Sequence, residues 1–391
     1  MQKVYIFLLV SLILSNFLQA QEWQVVNSIP TNKHLESIFF TNSNTGCIVG
    51  ENGTILSTSN GTDWTSQISG TDRYLYSVFF TDASTGYAVG ESGRIINTTN
   101  GINWTSQTSV TDKDLHSVYF TGTNIGYAVG ANGTILKTTD GTNWVSQSSG
   151  TERKLYSVCF TGVNNGYAVG ENGTVLKTTD GISWLNQTSG TDKDLHSVFF
   201  TGTNTGYIAG ANGLILKTTD GTNWIIQSSG SDKHLYSIYF TDSNTGYAVG
   251  ENGTILKTSN TTNWVSQTSV TGNKLKFVYF PGINSGYIAG ENGTVLKTEG
   301  SATGFNDNFF TPDYLTIYPN PANDVLNIDF IKVKGIVNGE LLIFDIHGKR
   351  VFNEQINQKK TSINIAGIKP GLYYIRLKDD QNLIMDKLII N

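Results

Sequence analysis

The sequence predicts an all-β chain in which a seven-bladed β-propeller with 40-residue blades is followed by a small immunoglobulin-like β-sandwich. Three observations predict this architecture. A 40-residue unit with four short strand-like runs recurs along most of the chain. The composition changes after Gly300, where tryptophan ends and four of the six prolines occur. The 42 glycines and the many Thr, Ser and Asn residues are typical of strands and turns, which makes a helical bundle a poor fit.

The composition also excludes some classes of protein. The net charge of −5, with no run of Lys or Arg, predicts no nucleic-acid partner. Two cysteines cannot form a disulfide scaffold. Cys47 and Cys159 each replace an aromatic residue of the repeat, three blades apart, so we expect both to be free and buried as apolar side chains.

The first 20 residues predict a secretory signal peptide. Lys3 precedes an apolar run from Val4 to Leu14, and the small residue Ala20 marks the expected cleavage point. The apolar run is too short to span a bilayer comfortably, and no other segment approaches twenty apolar residues. We therefore expect no membrane span after cleavage.

Residues 21–300 contain seven copies of the repeat. In the third copy the strand-like runs are LHSVYF (115–120), GYAVG (126–130), TILKT (134–138) and WVSQ (144–147). Asn-Gly and Asp-containing turns separate them, and four antiparallel strands of this length form one propeller blade. One glycine marks the same position in each copy: Gly50, Gly90, Gly130, Gly170, Gly210, Gly250 and Gly290.

The tryptophans predict how the ring closes. The seventh copy ends after Lys297 and Thr298 without the tryptophan that follows this run in the other copies, and Trp23 stands alone before the first copy. The N-terminal strand is therefore expected to complete the last blade, which removes an exposed sheet edge. A solenoid would need polar caps, and none is evident.

The repeat resembles known propeller families. TTDGTNW at 138–144 and 218–224, and TTDGISW at 178–184, are similar to the Asp-box turn of sialidase-type propellers. The whole unit more closely resembles the photosystem II assembly and stability factor family of seven-bladed propellers, over residues 21–300. The turn is one residue shorter than the usual Asp box, and Asn60, Asn100 and Asn260 replace the Asp. These departures favour a structural turn that needs only a short acceptor side chain.

The C-terminal part predicts a separate domain. Residues 301–313 are interpreted as a linker, and seven short β-like runs follow in residues 314–391. The segments IYPNPANDVLNIDF, DIHGKRVF and INIAGIKPGLYYIRL resemble the type A C-terminal sorting domain of type IX secretion substrates. The resemblance implies recognition by the type IX machinery and export to the outside or the outer-membrane surface of a Gram-negative bacterium, with release or attachment there. An ordinary adhesion module is the alternative.

A candidate partner-binding site follows from variation within the repeat. Around the first Leu of each innermost strand the copies differ, and these positions are expected to surround one mouth of the central channel. Packing does not dictate residues that differ among otherwise uniform copies, so they are either a recognition surface or solvated strand ends. The inner candidates are His34, Tyr74, Tyr76, Asp114, His116, Lys154, Tyr156, Asp194, His196, His234, Tyr236 and Lys274. Glu36 and Lys276 occupy equivalent positions in the first and seventh copies. A largely basic ring is expected just outside them, formed by Lys33, Arg73, Lys113, Arg153, Lys193 and Lys233.

The sequence favours a secreted or cell-surface binding or scaffold propeller, without enzymatic activity, that recognises an unknown protein or glycan and is a monomer. A sialidase-like carbohydrate-active enzyme is the alternative, but it would need an arginine cluster, and residues 21–300 contain only Arg73, Arg94 and Arg153. An assembly factor for an envelope complex, as the resemblance implies, is a further alternative. No catalytic residue and no cofactor are predicted. No metal site is predicted either, because the candidate metal ligands Asp114, His116, Asp194 and His196 come from blades two apart.

Overall fold

A computed structural model describes residues 23–282, 285–299, 315–319, 322–330, 339–345, 350–358, 360–378 and 383–390. The predicted signal peptide, residues 1–20, and the predicted linker, residues 301–313, lie outside the described residues. The chain divides into two compact units, residues 1–301 and 302–391.

Seven four-stranded antiparallel sheets form the first unit, as predicted. In blades 1 to 6 the four strands follow one another in the chain, from the innermost to the outermost strand. The strands are β1 (Trp23–Val25); in blade 1, β2 (Leu35–Phe40), β3 (Gly46–Gly50), β4 (Ile55–Thr58) and β5 (Thr65–Gln67); in blade 2, β6 (Leu75–Phe80), β7 (Gly86–Gly90), β8 (Ile95–Thr98) and β9 (Trp104–Gln107); in blade 3, β10 (Leu115–Phe120), β11 (Gly126–Gly130), β12 (Ile135–Thr138) and β13 (Trp144–Gln147); in blade 4, β14 (Leu155–Phe160), β15 (Gly166–Gly170), β16 (Val175–Thr178) and β17 (Leu185–Gln187); in blade 5, β18 (Leu195–Phe200), β19 (Gly206–Gly210), β20 (Ile215–Thr218) and β21 (Ile225–Gln227); in blade 6, β22 (Leu235–Phe240), β23 (Gly246–Gly250), β24 (Ile255–Thr258) and β25 (Trp264–Ser266); and in blade 7, β26 (Leu275–Tyr279), β27 (Ser285–Gly290) and β28 (Val295–Glu299).

The N-terminal strand completes blade 7, which confirms the predicted closure. Strand β1 pairs with β28, with Trp23 opposite Thr298 and Val25 opposite Leu296. The Val26 amide adds a further hydrogen bond to the Val295 carbonyl at 2.9 Å. The first and last parts of the propeller are therefore held in one sheet.

Single-turn 3-10 helices connect the second and third strands of blades 1 to 6. In blade 3 the turn contains Asn132 and Gly133 with φ of 54° and 65°, so the predicted positive-φ turn is confirmed. The six helices are Glu51–Gly53, Glu91–Gly93, Ala131–Gly133, Glu171–Gly173, Ala211–Gly213 and Glu251–Gly253. None of the helices in the described part of the chain is long and apolar enough to cross a membrane.

The hydrophobic core lies between neighbouring blades. Between blades 2 and 3, the Phe120 ring stacks on Tyr87 with centroids 4.1 Å apart and meets Trp144 edge to face at 6.0 Å. Buried aliphatic residues of both sheets, such as Val89 and Leu136, complete the cluster. Aromatic pairs of this kind add about 0.5–1.5 kcal/mol beyond the burial of apolar area. The recurring Tyr, Phe and Trp of the repeat are thus explained by packing between blades.

The Asp-box-like turns are structural. Asp140 Oδ1 accepts hydrogen bonds from the amides of Thr142 at 2.9 Å and Asn143 at 2.7 Å, which is the predicted Asx turn. These bonds, led by the one from Asn143, lower the pKa of Asp140. Asn100 accepts the corresponding bond from Asn103 at 2.8 Å, so Asn serves as well as Asp.

A glutamine side chain ties each of several turns to the preceding blade. Gln107 Oε1 accepts from Trp144 Nε1 at 2.9 Å, while its Nε2 donates to the Gly141 carbonyl at 2.8 Å. The same two-bond clamp joins Gln67 to Trp104 and Gln147 to Trp184. The turns therefore fasten neighbouring blades and face no common substrate.

The two cysteines are free, but only one is buried. Cys47 packs in the core between blades 1 and 2. Cys159 is half-buried, because it lies on innermost strand β14 at the position of Tyr119 in blade 3. The expectation that both cysteines are buried is therefore corrected for Cys159. Burial nevertheless raises the pKa of the Cys159 thiol to about 12, so the thiol stays protonated.

The second unit is a β-sandwich of the seven predicted strands. They are β29 (Leu315–Tyr318), β30 (Val325–Phe330), β31 (Gly339–Asp345), β32 (Arg350–Ile356), β33 (Lys360–Asn364), β34 (Gly371–Lys378) and β35 (Leu383–Ile390). One sheet has the order β29-β30-β33 and the other β32-β31-β34-β35. Leu326 and Ile363 from the first sheet share a core with Leu341, Ile375 and Leu388 from the second.

Candidate partner-binding site at the channel mouth

All seven innermost strands begin with a β-bulge. In β2, Leu35 pairs with Gly50 and Ser37 with Val49, so Glu36 has no partner in the ladder. The register shifts at the same place in the other six innermost strands. A bulge re-aims the extra side chain. The seven bulge residues, all half-buried, are called the bulge ring here: Glu36, Tyr76, His116, Tyr156, His196, Tyr236 and Lys276.

Side chains of the bulge ring contact one another from blade to blade. Five aromatic members form an arc across blades 2 to 6, with centroid separations of 5.2 Å for Tyr76–His116, 5.7 Å for His116–Tyr156, 5.5 Å for Tyr156–His196 and 5.3 Å for His196–Tyr236. Lys276 continues the arc, with its Nζ 5.4 Å from the Tyr236 centroid. The same ammonium lies 3.4 Å from Glu36 Oε2. The ring therefore runs from blade 2 through blade 7 to blade 1.

Seven flanking positions lie two residues before the bulge ring. They are His34, Tyr74, Asp114, Lys154, Asp194, His234 and Lys274. Two of their side chains extend the aromatic surface, since Tyr74 stacks on Tyr76 at 5.7 Å and His234 on Tyr236 at 6.3 Å. The predicted inner candidates thus lie at the start of the seven innermost strands, in the bulge ring and at the flanking positions.

The backbone at the flanking positions is fixed independently of the side chain. The His34 carbonyl accepts from the Glu51 amide at 2.9 Å. A Cβ on Gly50 would lie 2.0 Å from that carbonyl oxygen, so only glycine permits the approach. The corresponding glycines of all seven copies meet a flanking carbonyl in this way. Because this backbone contact is the same in all seven copies, the identity of the flanking side chain is free to differ among blades.

A carboxylate that sequence reasoning missed lies beside most flanking positions. The glutamate that opens the 3-10 turn accepts from the flanking amide, as for Glu51 with His34 at 3.1 Å and Glu91 with Tyr74 at 3.2 Å. Glu171 and Glu251 do the same for Lys154 and His234. These pairs lie 17 residues apart in the chain, so only the folded blade joins them.

Blades 3 and 5 supply the carboxylate from the flanking position itself. Here Ala131 and Ala211 replace the glutamate, while the flanking residues are Asp114 and Asp194. Asp114 Oδ1 accepts from the Ser92 amide of the preceding blade at 2.8 Å, and Asp194 Oδ1 accepts from the Asn172 amide at 2.9 Å. The two copies that have Ala in place of the turn glutamate are the same two that have Asp at the flanking position. This correlation is the sequence signal from which the exchange of carboxylate positions could have been predicted.

The predicted outer basic ring does not make the mouth basic. Five of its six members directly follow an acidic residue, and Lys113 lies 2.9 Å from Asp112 and Lys233 3.2 Å from Asp232. Among the inner positions and the adjoining turns, three ammonium groups, on Lys154, Lys274 and Lys276, accompany a larger set of carboxylates, of which Glu91 pairs with Arg73 and Glu291 with Lys274, both at 3.5 Å. Those carboxylates belong to Glu36, Glu51, Glu91, Asp114, Glu171, Asp194, Glu251 and Glu291. The outer ring stays a prediction, although acidic neighbours precede most of its members and the inner set carries more carboxylates than ammonium groups. The outer basic residues are Lys33, Arg73, Lys113, Arg153, Lys193 and Lys233.

Burial and these carboxylates shift the titration of the ring. Burial, followed by nearby carboxylates, raises the pKa of Tyr76, Tyr156 and Tyr236 to about 12. Burial lowers the pKa of His116 and His196, so both imidazoles are neutral at pH 7. His196 Nδ1 lies 3.0 Å from the Leu235 carbonyl, whereas buried His116 Nε2 has no hydrogen-bond partner among the described residues.

No group of three or more His, Cys, Asp or Glu side chains in the described ranges is arranged to hold a metal ion. His116 and His196 are separated by the Tyr156 ring, which contacts both. The carboxylates of Asp114 and Asp194 accept backbone amides of the preceding blades. These residues of blades 3 and 5 therefore serve the ring as aromatic and amide-binding groups.

Fold and site together define a seven-bladed β-propeller with a varied, acidic and aromatic channel mouth, followed by a β-sandwich. Residues 142–229 match the family model of the photosynthesis system II assembly factor YCF48. Residues 316–391 match the family model of the secretion system C-terminal sorting domain. The second match indicates export by the type IX system to the cell surface or the extracellular space. No curated protein matches the chain.

Solved propellers have the same fold. YCF48 bound to D1 peptide is 20% identical with a TM-score of 0.62, and the match covers 71% of this chain and 96% of that one. YCF48 from Cyanidioschyzon merolae is 20% identical with a TM-score of 0.61, covering 71% and 98%. The WD40 β-propeller domain of Doa1 is 12% identical with a TM-score of 0.62, covering 72% and 98%. The predicted fold class is confirmed.

Proposed function

We propose that this chain is a secreted, non-enzymatic binding propeller that recognises a protein or glycan partner at the channel mouth. One observation carries the proposal: the bulge ring and the flanking positions, half-buried except for the exposed Lys154, vary in residue type, whereas the blade core is nearly uniform. Aromatic and polar side chains around a concavity suit ligand recognition. A similar propeller, YCF48, was solved bound to D1 peptide, which supports a binding role for this fold.

The carboxylates of the repeat favour binding over hydrolysis. Those of the Asx turns, such as Asp140, accept backbone amides on the exposed blade edges. At the mouth, Glu51 and Asp114 likewise accept amides. Glycosidases use a pair of carboxylates at a fixed separation across the scissile bond. Incubating the folded protein with a panel of glycosides tests this point, and turnover of any of them would contradict a non-enzymatic role.

Mouth recognition is tested with the triple variant Tyr76→Ser/Tyr156→Ser/Tyr236→Ser. Wild type and variant are applied to glycan and peptide arrays after circular dichroism has established that both are folded. A matched control removes three exposed apolar side chains from outer strands, as Val145→Ser/Leu185→Ser/Ile225→Ser. We expect the mouth variant to lose at least tenfold in affinity for each array ligand and the control to retain it. Equal binding by the mouth variant would overturn the proposal.

The C-terminal domain is proposed to deliver the propeller to the type IX machinery, after which the protein is released or retained on the outer-membrane surface. Deleting residues 314–391 should leave the propeller in the periplasm, while the full chain reaches the outside. Fractionation of cells expressing either form measures this, with a periplasmic enzyme as the leakage control. Normal external appearance of the truncated chain would refute the role.

A further inference from the structure

We propose that the channel mouth binds a cationic side chain, the Lys or Arg of an extended peptide segment in the partner. This inference rests on the proposed function and narrows it, because it specifies which chemistry the mouth selects. Three independent features of the described residues carry it: the aromatic faces, the surplus of carboxylates, and a lysine of the chain itself that already occupies one such position.

Aromatic side chains make up most of the bulge ring. The arc from Tyr76 to Tyr236 contains three half-buried phenol rings and two neutral imidazoles, and Tyr74 stacks on one face of Tyr76. The face of a tyrosine ring carries negative partial charge and attracts an ammonium or guanidinium group within about 6 Å of its centroid. The half-burial of these side chains strengthens the attraction, because water screens it less.

The carboxylates make the surroundings of the arc negatively charged. Glu91 Oε2 lies 3.2 Å from the Tyr74 amide. Asp114 directly precedes strand β10 and lies two residues before His116. Burial is the main cause of the raised pKa of the Tyr76 and Tyr156 phenols, and these groups, together with Glu171 and Asp194, raise that pKa further, which reflects their proximity. A cation entering here is attracted from several directions, whereas an anionic partner would be repelled.

Lys276 shows how the occupant would be held. Its ammonium lies 5.4 Å from the centroid of Tyr236 and 3.4 Å from the Glu36 carboxylate. One segment of the ring thus already binds an amine between a phenol face and a carboxylate. In the described part of the chain no cation lies over Tyr76 or Tyr156, although both have carboxylates close by. Those two rings are the positions for the partner's side chain.

The test uses the full chain and three synthetic peptides that differ at two positions: GSRGSRGS, GSQGSQGS and GSEGSEGS. Calorimetric titration is expected to detect the Arg peptide, with an affinity that falls as salt rises, and to find the Gln and Glu peptides at least tenfold weaker. Equal affinity for the Arg and Gln peptides, or no binding of the Arg peptide up to millimolar concentration, would overturn the proposal.

A matched pair of variants locates the site. Asp114→Asn/Asp194→Asn removes two inner charges while Asn can still accept the backbone amides. Asp112→Asn/Asp192→Asn removes two charges from the same blades, two residues earlier and on the exposed rim. We expect a loss of at least tenfold for the inner pair and less than threefold for the outer pair. Equal losses from both pairs would contradict recognition at the ring.

The array experiment separates failure of this inference from failure of the proposed function. If array ligands that depend on Tyr76, Tyr156 and Tyr236 are neutral or acidic, mouth recognition stands and the cationic preference is refuted. If no array ligand depends on these residues, mouth recognition itself is refuted.

Discussion

Lys276 and Glu36 form an ion pair of 3.4 Å that joins the last innermost strand to the first. From blade 2 to blade 6 the bulge ring is held by contacts between aromatic rings, whereas Lys276 contacts both the Tyr236 ring and Glu36, so charge replaces ring stacking at this junction. The two side chains are 24% and 16% exposed, which leaves the pair partly shielded from water. It lies in the same pair of blades that the N-terminal strand must bring together.

Breaking this ion pair should weaken closure of the ring. Lys276→Met leaves the Glu36 carboxylate without its partner, and we expect a loss of about 1–2 kcal/mol in the free energy of unfolding, measured by urea denaturation. Glu36→Tyr/Lys276→His copies the neighbours found elsewhere in the ring and should lose less than Lys276→Met. A double-mutant cycle on Lys276→Met and Glu36→Gln that gives no coupling energy would contradict this account.

The turn in blade 6 contains a residue whose backbone conformation lowers the stability of the propeller. Thr261 takes the place of the turn glycine and has a φ of 64°, which a β-branched residue adopts at a cost of about 1–3 kcal/mol. Lys217 Nζ bonds the Thr261 hydroxyl, while Tyr207 Oη, Gln227 Oε1 and Trp264 Nε1 are buried without hydrogen-bond partners among the described residues. Thr261→Gly should therefore raise the free energy of unfolding by about 1 kcal/mol, as a higher urea midpoint.

The reverse change is the control for this turn. Gly221 occupies the equivalent position in blade 5 with a φ of 68°, and a Cβ there would lie 2.4 Å from Tyr167 Oη. Gly221→Thr should lower the urea midpoint by more than Thr261→Gly raises it. A lower midpoint for Thr261→Gly would show that the hydroxyl contact with Lys217 outweighs the backbone strain.

The clamp between blades is incomplete where the N-terminal strand enters. Val26 stands at the position of the clamping glutamine, and Trp64 Nε1 is buried without a partner in the described structure. Val26→Gln would give this indole an acceptor and should raise the free energy of unfolding by about 1 kcal/mol. Gln107→Val imposes the same deficiency on Trp144 and should lower the free energy by about 1–2 kcal/mol. A thermal melt of both variants measures the effect, and destabilisation by Val26→Gln would refute it.

Acid should weaken the propeller through two ring histidines. Burial lowers the pKa of His116 and His196 in the folded state below the ordinary 6.5, and Asp114 and Lys154 act on His116 in opposite directions. The unfolded chain then binds more protons between the folded pKa and 6.5, so stability is complete above pH 6.5 and falls as pH decreases through that window. His116→Tyr/His196→Tyr, which copies blades 2, 4 and 6, should lose less stability between pH 7.5 and 5. Identical pH dependence of the urea midpoints would exclude this cause.

Much of the fold follows from the sequence because the repeat supplies seven observations of one structure. The unpaired Trp23 predicted the shared blade, and β1 beside β28 confirms it. The turn at Asp140 was predicted from local chemistry alone, and its hydrogen bonds agree. Local propensity and counting were sufficient for both features.

Variation within the repeat suggested the candidate site, but the sequence did not predict the surplus of carboxylates there. Glu51 and Asp114 belong to different parts of their repeats, and only the folded blades bring such carboxylates to the same mouth. The bulge at Glu36 also escaped prediction, because it lies at the start of the strand, where only Leu35 precedes the change in alternation.

The pairing of Trp23 with Thr298 has a consequence for biosynthesis. The strand made first finds its partner only after the last blade has been synthesised, which at about 5–20 residues per second takes on the order of tens of seconds. During that interval the growing chain has blades but no closed ring. Closure is thus the final event in folding of the propeller, and it couples the two ends of the domain in time as well as in space.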